Sequence, residues 1–146
     1  MNKEFEKRRR RLAKLIGKDG IAVIPTASTR VRSRDTDYPY RPDSDFYYFT
    51  GFSEPHAVMI LAPGREDGAF IVCLRAKNPL TEIWDGHMEG LNGVKKNFGV
   101  DQSFKIEDLE TILSSLFLGR QKVFFTLGQD DVLDKTLMRS YKAVRA

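Results

Sequence analysis

The sequence has a single cysteine, Cys73, and two histidines, His56 and His87. One thiol excludes an internal disulfide framework, and so few imidazoles cannot assemble a zinc cluster or a His-rich site. Long apolar runs are missing too. The longer ones, such as Ala57-Val58-Met59-Ile60-Leu61-Ala62, fall far short of the roughly 20 residues a membrane helix needs. Met1-Asn2-Lys3-Glu4 leads into charge rather than an apolar stretch, so no secretory signal is expected. There is no Gly-rich phosphate loop, no G-x-S-x-G and no H-E-x-x-H. These absences point to a cytoplasmic protein without a complete active site of a familiar kind.

What is present suits one folded domain over 1–146, with 41% hydrophobic and 30% charged residues. The net charge of +4 raises the question of nucleic acid. The run Lys7-Arg8-Arg9-Arg10-Arg11 alone carries +5, so the remainder is −1. The excess is local, flanked by Glu4 and Glu6 on a helical pattern, and reads as a solvated helix face; neither nucleic acid nor membrane is expected as a partner.

Phe5, Arg9, Leu12, Leu15 and Ile16 recur at helical spacing over 3–16, with Gly17 and Gly20 ending the pattern and the intervening arginines directed mostly to water. Ile21–Ile24 reads as a buried strand stopped by Pro25. Residues 57–62 and 69–74 make a hairpin around Pro63–Gly68, and Glu82-Ile83-Trp84 extends as another short strand. A short helix is predicted at 91–98, another from Ile106 to Phe117 with Gly119 beyond it, a strand at 122–127, and a last helix from Asp131 to about Val144 with Asp130 as N-cap. Strands alternating with helices indicate an α/β domain, a sheet flanked by helices. The helical pattern still runs at Tyr141–Ala146, which is how a domain ends ahead of a linker to a second one.

Between Thr26 and Asp45 the composition turns polar, with Arg30, Arg32, Arg34 and Arg41 interleaved with Asp35, Asp37, Asp43 and Asp45, and with Pro39 and Pro42. This reads as a long ordered loop, pinned to the core by Phe46, Tyr47, Tyr48, Phe49 and Phe52. Asp35 and Asp37 can bind a metal, do acid–base work or hold an ammonium group. They can equally pair with the adjacent arginines, and spacing alone favours that. Asp85-Gly86-His87-Met88-Glu89 is best read as a solvated turn. Trp84, the sole tryptophan, is either core or the wall of a pocket or interface. Cys73, in an apolar strand, is expected to be inert.

The string Asp35-Thr36-Asp37-Tyr38-Pro39-Tyr40-Arg41, followed by Asp43-Ser44-Asp45-Phe46-Tyr47-Tyr48-Phe49-Thr50-Gly51-Phe52-Ser53-Glu54-Pro55, resembles the N-terminal domain of aminopeptidase P, the Xaa-Pro aminopeptidase of the creatinase/prolidase superfamily. Glu4–Arg10, Glu82–Gly86 and Phe98–Asp101 continue the likeness in order over nearly the whole chain. The resemblance implies a mixed sheet flanked by helices, placed ahead of a C-terminal "pita-bread" domain that holds two manganese ions. That domain releases the N-terminal residue from peptides with proline second. The ligands of those ions are implied to lie outside this chain, which alone is expected to be inactive and to bind no metal. Implied partners are its own catalytic domain, further copies in a dimer or tetramer, and proline-containing peptides. By motif match, Asp35 is implied to sit at the substrate cleft and Trp84 at the cleft of a neighbouring subunit, while His87 stands where relatives commonly have arginine. A prolidase acting on Xaa-Pro dipeptides, or a free-standing peptide- or protein-binding module, would be the alternatives.

Overall fold

The computed structural model describes residues 3–26, 31–33, 36–37 and 44–145. Helix α1 (Lys3–Ile16) leads through a turn into strand β1 (Gly20–Pro25). Residues read as a long loop contain two short paired strands, β2 (Val31–Ser33) and β3 (Thr36–Asp37), and helix α2 (Ser44–Thr50) opens with the aromatic cluster. The hairpin is present as β4 (Val58–Leu61) and β5 (Phe70–Leu74). It is followed by α3 (Pro79–Asp85), α4 (Gly90–Phe98) and β6 (Gln102–Lys105). A single 3-10 turn leads into α5 (Leu109–Phe117), then β7 (Lys122–Phe124) and α6 (Asp131–Arg145).

Among the described residues the main sheet has five strands in the order β6-β5-β4-β1-β7. The central pairs β5–β4 and β4–β1 are antiparallel and the outer pairs β5–β6 and β1–β7 parallel, so the sheet is mixed. Strand alternation divides the core in two. Ala22, Met59, Leu61, Phe70, Val72 and Leu74 face α1, α2 and α4 through Ile16, Phe46, Phe52 and Val94. Ile21, Val23, Val58, Ile60, Ile71 and Cys73 face α5 and α6 through Leu109, Leu113, Phe117, Leu133 and Leu137. Because both faces are covered, the central strands read as continuous apolar runs.

Three local readings need correction or adjustment. Glu82-Ile83-Trp84 is helical, because Asn78 caps α3 by accepting from the N–H groups of Leu80 (2.9 Å) and Thr81 (3.4 Å), with Pro79 in its first turn. Strand β1 ends at Pro25 as expected but includes that residue, paired with Val58, and so runs one position past Ile24. The polar Gln102–Lys105 stretch forms an edge strand where none was predicted.

The arginine run also departs from a solvated face. Lys7, Arg10 and Arg11 are exposed, but Arg9 is only 7% exposed. Its guanidinium lies over the Phe70 ring, 3.9 Å from the centroid, and donates to the Phe49 carbonyl at 2.8 Å. Arg8 donates to the Tyr48 carbonyl at 3.1 Å and stacks on the Tyr48 ring. Leu15, counted with the apolar stripe, is exposed instead. The two arginines thus fasten α1 to α2 and the sheet.

Candidate functional site

Among the described residues, helix α3 carries the most conspicuous apolar surface. Leu80, Ile83 and Trp84 are 73%, 71% and 87% exposed, and spacing of three and four residues puts them on one side of the helix. Apolar side chains this large, grouped and uncovered, are characteristic of an interaction surface. The helix is held at its ends rather than along its length. Asn78 caps its start, and Gly86, at φ +90°, turns the chain away at its end. Beyond it Met88 is buried in the domain.

A charged collar surrounds this exit. Lys77 Nζ lies 3.9 Å from Glu82, His87 Nδ1 lies 3.8 Å from Glu82, and His87 Nε2 lies 3.4 Å from Glu89. Beneath it Glu54 is buried at 4% exposure. Its Oε2 accepts the Glu89 N–H at 3.3 Å and its Oε1 faces Arg75 Nε at 3.4 Å, close enough for an ion pair but not aligned as a hydrogen bond. The expected solvated turn over Asp85–Glu89 is corrected: Asp85 closes α3, and the irregular stretch after it is anchored from below through buried Met88 and the Glu89 N–H. Nothing in the sequence singled out Glu54; its place within the aromatic string, next to Pro55, was the available signal.

Of the two residues assigned to the cleft from sequence, Trp84 is at the surface, and Asp35 lies outside the described residues. Among the described residues no group of three or more His, Cys, Asp or Glu side chains comes together to hold a metal ion. No described helix is long and apolar enough to cross a membrane.

A cleft of 470 Å³ opens between the end of β1 and the start of α6, with Thr26, His56, Glu110, Asp130 and Thr136 in its lining. Apart from His56 and Glu107, its polar side chains are spent on structure. The Thr26 hydroxyl bonds with Ala57, Asp130 caps α6 through the N–H groups of Val132 and Leu133, Glu110 pairs with Arg139, and Thr136 donates to the Val132 carbonyl. It holds no nucleophile–base pair.

Cys73 is fully buried in β5, and burial, reinforced by Asp108, pushes its thiol up to about 12 from 9.0. The sign follows from linkage. A pKa raised in the folded state gives stability that is present below pH 9 and lost as pH rises toward 12, by up to about 1.4 kcal/mol per pH unit. Denaturant titrations of the wild type and Cys73→Ala across this window should diverge in slope, with the wild type falling more steeply. Parallel curves would show that the thiol does not contribute.

The fold and surface define a mixed-sheet α/β domain that carries an uncovered apolar helix. Comparison with known proteins specifies it: residues 5–125 match the model of the aminopeptidase P N-terminal domain, and the chain belongs to that family. It is 33% identical to the Xaa-Pro aminopeptidase of Escherichia coli K12 over 147 residues, covering 97% of this chain and 33% of that protein. The Haemophilus influenzae Xaa-Pro aminopeptidase is 32% identical over 113 residues, covering 77% of this chain and 26% of that protein. Among solved structures, Pseudomonas aeruginosa aminopeptidase PepP superposes with a TM-score of 0.90 at 39% identity, over 99% of this chain and 33% of that one. Zinc-substituted E. coli aminopeptidase P in complex with product gives 0.89 at 30% identity, over 98% and 33%. The chain thus spans about a quarter to a third of the length of these relatives.

Proposed function

We propose that this chain works as the N-terminal accessory domain of an Xaa-Pro aminopeptidase, a metallopeptidase releasing the residue ahead of proline. The observation that carries the reading is the superposition of nearly the whole chain on one third of such enzymes. The two manganese ions of the proposed reaction belong to a catalytic domain. The described residues here do not fit such a centre, since they offer no ligand set. In this reading the domain takes part in a homo-oligomer and walls the substrate cleft, Asp35 on its own side and Trp84 at that of a neighbouring subunit. The uncovered Leu80-Ile83-Trp84 face supports the second role, because an indole this exposed gains little until a partner covers it. Cytoplasmic location is part of the same proposal.

A chimera tests it, with this chain replacing the N-terminal domain of the E. coli enzyme. Trp84→Ala and Asp35→Asn in the chimera should each lower kcat/KM on an Xaa-Pro peptide by about tenfold to a hundredfold, the cost of a mispositioned substrate. Unchanged kcat/KM in either would remove that residue from the cleft. Trp84 is also its own probe. Acrylamide should quench its fluorescence readily in the isolated chain and poorly in an assembled chimera whose other tryptophans are replaced by phenylalanine, and equal quenching in both would contradict an intersubunit position.

A further inference from the structure

We infer that Glu54 is a positioning residue for Trp84, acting through the turn that follows α3. This deepens the reading of Trp84 as a cleft wall and rests on that reading for its functional meaning. A short helix with its apolar side turned to solvent needs its direction set from elsewhere, and α3 shares no extensive contact with another element. Its direction is fixed where the chain leaves it. Met88 is buried, and the next residue, Glu89, gives its N–H to a carboxylate that is itself buried. At 3.3 Å this is a long hydrogen bond, made to a charged acceptor.

Burying a carboxylate is costly unless charge and hydrogen bonds compensate it. Glu54 has both: Arg75 at 3.4 Å on one oxygen and the Glu89 amide at 3.3 Å on the other. Arg75 stands immediately after β5 and Glu54 shortly before β4, so the carboxylate is referenced to the sheet. The Glu89 side chain carries the fixation outward, accepting from Asn97 of α4 at 2.9 Å and facing His87 at 3.4 Å, which in turn faces Glu82 of α3. A route of named contacts therefore runs from the sheet to the helix bearing Trp84. The outer pairs are exposed and individually weak. The buried carboxylate is the member whose loss leaves a backbone donor without its partner.

The test uses the chain itself and no substrate, so its failure is distinguishable from failure of the cleft assignment. In the wild type the Glu89 amide should exchange with deuterium at least about tenfold slower than a free peptide, as a buried hydrogen bond requires. Exchange at the free rate would overturn the proposal whatever any variant does. Glu54→Met removes charge and acceptor at similar volume. It should speed exchange across residues 79–90 by about tenfold while β4 and β5 stay within about twofold, and should enlarge the fast anisotropy decay of the sole tryptophan. Glu54→Gln keeps an acceptor and should stay within about threefold of the wild type in 79–90. Uniform acceleration, no acceleration in 79–90, or unaltered Trp84 anisotropy in Glu54→Met would each contradict the role.

Discussion

Arg9→Ala is expected to destabilise the domain by about 2–4 kcal/mol, the loss of a charge-assisted hydrogen bond together with a desolvated cation–π contact. The guanidinium is buried, yet it is held by the Phe49 carbonyl at 2.8 Å and by the face of Phe70 at 3.9 Å. Burial pulls its pKa down from the usual arginine value, opposed by Glu6 and then by Asp101. Truncation to alanine leaves a carbonyl at the end of α2 without its donor, uncovers Phe70 and opens the seam between α1 and α2. Lysine should not rescue it, because a point charge on a flexible stem cannot stack flat and donate in plane together. Arg10→Ala is the control. That side chain is exposed, pairs with Glu6 one turn away, and should change stability by less than about 0.5 kcal/mol. Denaturant midpoints of the three variants decide the matter, and similar midpoints for Arg9→Ala and Arg10→Ala would contradict the assignment.

Phe52→Ala is the second large effect, about 3–5 kcal/mol. Phe52 is almost wholly buried, and its ring lies 6.0 Å from Phe46 and 5.1 Å from Phe98, the latter edge to face. These three rings join α2, the segment after it and α4 on one face of the sheet. Removing the middle ring leaves a cavity and breaks both aromatic pairs, whereas Phe46→Ala or Phe98→Ala breaks one. Phe52→Leu should recover part of the loss by refilling volume. Thermal melts ranking Phe52→Ala no lower than the exposed-site variant Tyr48→Ala would contradict this packing.

Both effects fall at places where the sequence was read with different success. The central strands were legible because they are apolar runs bounded by turns, and α6 because Asp130 caps a clean helical period. Helix α3 was not. Its residues Glu82-Ile83-Trp84 look like a strand end, and the helix-start signal Asn78-Pro79 precedes too short a periodic stretch to outweigh them. Strand β6 is a polar edge, so no periodicity betrayed it. The run at 7–11 misled because five like charges suggest solvent, and nothing in one dimension says that Arg9 will meet an aromatic face. Glu54 was invisible for the same reason: a carboxylate in a loop declares its role only when Arg75 and the Glu89 amide converge on it. Trp84 read from the sequence as core or as the wall of a pocket or interface, and the structure places it on an uncovered helix face. The contacts around that helix, which join residues distant in sequence, were not legible.

Hydrolysis of an Xaa-Pro peptide with added manganese shows most directly whether this chain is, as proposed, an accessory domain to a separate catalytic one. The isolated 146-residue chain should release no N-terminal residue, while the chimera with the E. coli catalytic domain should cleave the peptide. Turnover by the isolated chain, or a folded chimera without activity, would contradict it.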